Sequence, residues 1–295
     1  MPVIRPGRGR NGHFDLACGG RRTPRISSIM TGQIPGWPVI VLAGVAGLLI
    51  GSFLNVVIHR GPGMWKLIDA DPRGDLLTPR SYCPSCRRPI PASGLVPILS
   101  YLRQGGKCLH CGSPISPRYP IVEALGGLTG VAAFAVFGPT AQALGAAIFG
   151  WALIALAVID LETGYLPDAI NYPLIAAGLA ANATGLFASF VEALAGAAAG
   201  YVLFWAMAKA FERLRGKEGL GLGDAKLLAA IGAWGGWIIL PAVVFVAAAS
   251  TLVVLVLARS RGGASALDQP APFGPGLCAA GFICLLLAPW PLSVP

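Results

Sequence analysis

Residues 120–160 read PIVEALGGLTGVAAFAVFGPTAQALGAAIFGWALIALAVID, and this stretch decides the fold. Glu123 and the closing Asp160 are its only charged residues. A membrane helix needs about 20 predominantly apolar residues. The stretch holds two such runs, 120–137 and 141–159. The pattern continues on both sides. Upstream, WPVIVLAGVAGLLIGSFLNVVI (37–58) makes a first span. Downstream, spans are expected at 169–188, 190–209, 226–240, 241–258 and 275–293. A single helix over 227–258 would be about 48 Å long, more than a hydrocarbon core of about 30 Å. Gly235, Gly236 and Pro241 offer a turn there, so two short crossings are expected. The fold class is therefore an all-α polytopic membrane protein with about eight transmembrane helices.

Composition agrees. Charged residues are 12% of the 295, against about 25% in soluble domains, and the mean hydropathy is +0.69. Too little charge remains to solvate a surface, so most of it must face lipid. The net charge of +9 does not indicate nucleic acid, because its placement follows membrane topology. After residue 29 the basic residues fall in three groups, from Arg60 to Arg118, from Lys209 to Lys226, and at Arg259 and Arg261. With eight spans all of them lie on one side, which the positive-inside rule makes the cytoplasm. Residues 1–29 carry six Arg and no apolar run. They read as a disordered extension to about residue 35, or as the product of a start site misplaced from Met30. The remaining divisions are a first helix at 36–59, a cytoplasmic loop domain at 60–119 and a seven-helix membrane domain at 120–295.

Acids are scarce, so their positions carry information. Asp160 ends the third span and Asp224, in GLGDAK, opens the sixth. Two crossings separate them, which returns the chain to the same face. Two carboxylates close together in a low-dielectric site share one proton. The charged one can then take a proton from water while the protonated one polarises a peptide carbonyl. Gly221 and Gly223, lacking Cβ atoms, would let an extended peptide approach. Spacing alone leaves a second reading, in which both acids mark helix ends. An N-cap role would explain Asp224 but not Asp160, since an acid at a helix C-terminus opposes the macrodipole. Asp168 is expected to cap the fourth span. Glu162, two residues after Asp160, would face elsewhere on a continued helix.

The loop contains Cys83-x2-Cys86 and Cys108-x2-Cys111. Paired knuckles suit a closed tetrahedral zinc site, and reduced, metal-free turns are the alternative. The loop is too short and polar to build much core, so bound metal would supply its folding energy. Asn55, His59, Arg60, Arg118 and Glu123 are polar residues where loop meets span. They read equally as interface anchors, ion pairs or cofactor ligands. No G-x-G-x-x-G signature of a nucleotide-binding domain is present.

IDLETGYLPD (159–168) and GLGDAK (221–226) resemble the type IV prepilin peptidases. The resemblance extends, in consistent order, through GSFLNVVIHR (51–60), CPSC (83–86), CLHC (108–111), ISPRYPIVE (115–123) and FGPGL (273–277). It implies that Asp160 and Asp224 are the catalytic aspartates of a bacterial inner-membrane enzyme whose active site faces the cytoplasm. The substrates would be prepilins or pseudopilins of type IV pilus or type II secretion systems, cleaved after a glycine. The new N-terminus would be methylated using S-adenosylmethionine, which makes Asn55, His59, Arg60, Arg118 and Glu123 possible methyl-transfer residues. Competing readings are an intramembrane protease of the GxGD type without methyltransferase activity, and a zinc-tethered transporter or scaffold. Residues 1–29 depart from the family pattern.

Overall fold

The structure is a computed structural model that describes residues 36–68, 75–216, 221–260 and 273–288. The N-terminal extension and Met30 lie outside these residues. Among the described residues, eight helices of 14 residues or more occur where the hydropathy pattern places spans. They are α1 (Trp37–Met64), α3 (Arg118–Phe137), α4 (Ala141–Thr163), α5 (Asp168–Ala183), α6 (Phe190–Arg215), α7 (Leu222–Gly235), α8 (Leu240–Ser260) and α9 (Gly274–Leu287). A short helix, α2 (Leu99–Arg103), and a 3-10 turn (Ala92–Gly94) lie in the loop after α1. Five helices, α1, α3, α4, α6 and α8, are long and apolar enough to cross a membrane. The other three have 16, 14 and 14 residues.

Several ends differ from the sequence expectation. α1 runs six residues past Ile58 because Arg60 does not face water. Its guanidinium donates to the backbone carbonyls of Asp75 (2.6 Å) and Pro79 (2.8 Å), which folds the loop back over the helix end. α4 does not stop at its first acid. It continues to Thr163 and ends at Gly164, whose left-handed φ of 71° suits glycine and whose N–H bonds the Asp160 carbonyl at 2.8 Å. α6 extends to Arg215. Asp168 is the first residue of α5 and makes no capping bond. It is instead paired with Lys226 at 2.7 Å, which ties the start of α5 to the start of α7.

Lipid tails are as apolar as Leu, so membrane helices associate by close packing and hydrogen bonding. Both operate here. α1 and α3 touch backbone to backbone, since a Cβ on Gly47 would meet the Gly126 carbonyl and one on Gly51 would lie 2.7 Å from the Glu123 Cα. α6 and α7 do the same at Gly196 and Gly232. α7 is buried along nearly its whole length, enclosed by α5, α6 and α9, while α4 packs on α1, α3, α5 and α9. Water cannot serve the last carbonyls of a buried helix, so protein must. Asn182 donates to Ala233 and Trp234 carbonyls, both at 2.8 Å, and accepts from the N–H groups of Phe187 and Ala188. Trp234 donates to the Leu174 carbonyl at 2.9 Å and packs against Phe149 at 5.2 Å between ring centroids.

Gly232→Val is expected to force α6 off α7 and to cost about 1–3 kcal/mol, as overpacking does. The measurement is the thermal unfolding midpoint of the detergent-solubilised protein, which should fall by several degrees.

Candidate functional site

Asp160 lies in the last turn of α4 and is buried, and Asp224 is the third residue of α7 and half-buried. Two intervening helices bring α4's end and α7's start to one face of the bundle. The two carboxylates are close enough for their charges to act on each other. α9 closes the site from a third side. The Gly274 N–H bonds the Asp160 carboxylate, and a Cβ at Gly274 would lie 2.5 Å from Asp160 Oδ2. Only glycine leaves that carboxylate room. Cys278, one turn further along α9, is buried within reach of both aspartate charges. Sequence reasoning does not single out Gly274 or Cys278 as site residues, and FGPGL (273–277) enters it only as part of the resemblance.

The two glycines before Asp224 divide. Gly221 is the N-cap of α7, and its nearest neighbour at the Cβ position is Asp224 Oδ2 at 3.7 Å. Gly223 is packed within the chain, with a Cβ position 3.0 Å from the Leu166 Cβ. Lys226, two residues past Asp224, donates to both Asp168 oxygens and lies 5.2 Å from the Tyr172 ring centre.

A second cleft, of about 750 Å³, opens between α1, the cysteine loop and the starts of α3 and α2. Asn55, His59, Arg60, Arg118 and Glu123 all line it, so five polar residues scattered over 69 positions of sequence converge. Glu162 lines it too. On a helix, two residues turn through about 200°, so α4's last turn presents Asp160 inward and Glu162 to the cleft. There Arg118 Nη1 donates to both Glu162 oxygens, at 2.6 and 2.7 Å. Asn55 donates to the Tyr119 carbonyl at 3.0 Å, and its Oδ1 is buried with no partner among the described residues. Glu123 accepts the Ile98 N–H at 2.8 Å.

The four loop cysteines converge as their spacing implies. Their sulfurs all lie within 4.8 Å of one another, and Cys83 and Cys111 are 3.8 Å apart. Zinc–sulfur bonds of about 2.3 Å in a tetrahedron place sulfurs about 3.8 Å apart, so the tetrad fits that ion. His110 is not in the cluster. Backbone N–H groups, that of Cys86 foremost, hold the Cys83 thiol down at about 6. The Ser113 hydroxyl, first among several donors, lowers Cys111. Cys86 receives an N–H from Arg88, yet burial and the neighbouring sulfurs push it up to about 11. Two of the four thiols are thus poised toward the thiolate a metal requires.

An all-helical membrane domain with two acids at neighbouring helix ends, joined to a four-cysteine loop, defines a class of polytopic membrane protein built around a carboxylate pair. Residues 45–137 match the bacterial peptidase A24 N-terminal domain, and residues 147–256 match the type IV leader peptidase family. The chain belongs to that family. It is 44% identical over 264 residues to a prepilin leader peptidase/N-methyltransferase of Burkholderia pseudomallei strain 1026b, covering 84% of this chain and 85% of the relative. Proteins of the same name from Pseudomonas aeruginosa and Neisseria gonorrhoeae are 43% and 42% identical over 256 and 260 residues, covering 81% and 83% of this chain and 87% and 89% of the relatives. No solved structure is a significant match.

Replacing Cys83 or Cys108 by Ser is expected to lower bound zinc from about one ion per chain to under about a tenth of that. Metal analysis of the purified protein checks it. Protease sensitivity of the 75–117 loop should rise in parallel.

Proposed function

We propose that this chain removes the basic leader from type IV prepilins or pseudopilins and methylates the amino terminus so exposed. Family membership and the shared name of the relatives support both activities. The observation that carries the proteolytic half is the pairing of Asp160 with Asp224 across two helix ends. One carboxylate is ionised and accepts a proton from water, and the water oxygen attacks the scissile carbonyl carbon. The other, protonated, donates to the carbonyl oxygen. The proton taken from water then passes to the leaving nitrogen as the carbon–nitrogen bond breaks. Gly221 and Gly274 keep the approach to the pair narrow in side chains. The site's position at helix ends suits a substrate whose apolar helix lies in the bilayer and whose cleavage point emerges at its surface. The positive-inside distribution supports the cytoplasmic face of the inner membrane as that surface.

The 750 Å³ cleft is the site for methyl transfer. S-adenosylmethionine carries a sulfonium, an ammonium and a carboxylate, and supplies an electrophilic methyl group when bound. The cleft matches these charges with Glu123 and Glu162 on one hand and Arg118 on the other, and Asn55 Oδ1 offers an unfilled acceptor. Glu162 attracts the substrate's new α-ammonium, which loses a proton to solvent before its nitrogen takes the methyl group, and Arg118 holds Glu162 in place. The cysteine tetrad, with structural zinc, holds the cleft's outer wall.

Asp160→Asn and Asp224→Asn should each lower prepilin cleavage at least about a hundredfold, the scale of general acid–base loss, while the protein still inserts. Mass spectrometry of the N-terminus of a co-expressed prepilin reads the result, and normal processing in either variant would reject the assignment. Glu162→Gln should lower the ratio of methylated to unmethylated cleaved product by at least about tenfold, as loss of an ion pair to the substrate would. The same spectra report it.

A further inference from the structure

Three apolar side chains of the loop point outward together. Val96 is 43% exposed, and Leu99 and Leu102 are 66% and 67% exposed. Val96, Leu99 and Leu102 line one shallow depression with Arg103, so they share a face. The other side of the segment is already engaged. Ser100, Tyr101 and Gln104 line the 750 Å³ cleft, and the Tyr101 ring closes over Gly106, whose Cβ position is 3.1 Å away. Scattered exposed leucines need no explanation. A contiguous apolar face marks a contact.

A hydrogen bond fixes where this face lies. The Ile98 N–H donates to Glu123, which sits in the second turn of α3. α3 has 20 residues and is about 30 Å long, just the thickness of the hydrocarbon core. The bond therefore holds the segment level with the point where α3 enters the bilayer. Ile98 adopts a φ of 60°, a conformation a β-branched residue keeps only when its surroundings impose it. The charge around it has one sign. Over residues 75–117, Arg80, Arg87, Arg88, Arg103 and Lys107 stand against Asp75 alone. Basic residues beside a membrane favour anionic headgroups.

We propose that Val96–Arg103 is an interfacial anchor whose apolar face lies in the lipid of the leaflet that α3 enters, with Arg103 among the headgroups. The occupant of this face is lipid. An amphipathic segment of this kind sits with its apolar face at the boundary between headgroups and acyl chains. Because its inner face forms part of the cleft wall, the bilayer becomes the outer support of that wall. The anchor follows from exposure, register and charge, and does not depend on what the cleft binds.

The test uses the full chain in vesicles of phosphatidylcholine and phosphatidylglycerol. A benzophenone amino acid is placed at the Leu102 position, and separately at the Gln104 position on the inner face. Illumination should give lipid adducts at the first position at least about tenfold more often than at the second, as an interfacial side chain requires. Equal yields, or adducts to a second copy of the protein in place of lipid, would overturn the anchor. A second measurement avoids the bulky probe. Trypsin should cut after Arg103 at least about tenfold faster in the Leu99→Asp, Leu102→Asp variant than in the unmodified chain in the same vesicles, as loss of interfacial burial predicts. Unchanged cutting would also overturn the proposal.

Discussion

Backbone contact between glycines is the constraint on which the membrane domain depends. Gly47 against Gly126 joins α1 to α3, and Gly196 against Gly232 joins α6 to α7. These pairs stand on opposite flanks of the bundle, with α4 and α9 between them. Close approach lets many weak dispersion contacts form where burial from lipid offers little. It also fixes depth. The starts of α3 and α7, which carry Arg118, Glu123 and Asp224, are held in place by helices they touch along much of their length.

The last turn of α4 organises both candidate sites. Asp160 faces α7 and α9, and Glu162 faces the start of α3. Gly164 ends the helix just beyond them. The carboxylate proposed for cleavage and the one proposed to receive the cleaved end are therefore parts of one rigid element. Just beyond it in sequence, Asp168 pairs with Lys226, so the start of α5 is tied to α7.

Much of this was legible in the sequence. The five long apolar helices fall where hydropathy put them, because a run of about 20 apolar residues has few alternatives. The cysteine tetrad was legible because metal-ligand spacing is local. Helix ends were less so. An acid or an arginine was read as the end of a span, yet Asp160 lies inside α4 and Arg60 inside α1, each satisfied by backbone groups from distant sequence. The cleft could be seen only as scattered polar residues at loop–span junctions, since its shape depends on how α1 meets α3. Gly274 was hidden for the same reason. Its importance comes from the Asp160 carboxylate lying where its side chain would be, and nothing in local sequence announces that.

α5, α7 and α9 surround the paired acids and are about 24, 21 and 21 Å long. A slab of hydrocarbon about 30 Å deep is not matched by such elements. Elements this short are accommodated by thinning of the bilayer around them. Acyl-chain length then sets the mismatch each of them meets, so lipid composition bears on the surroundings of the paired acids.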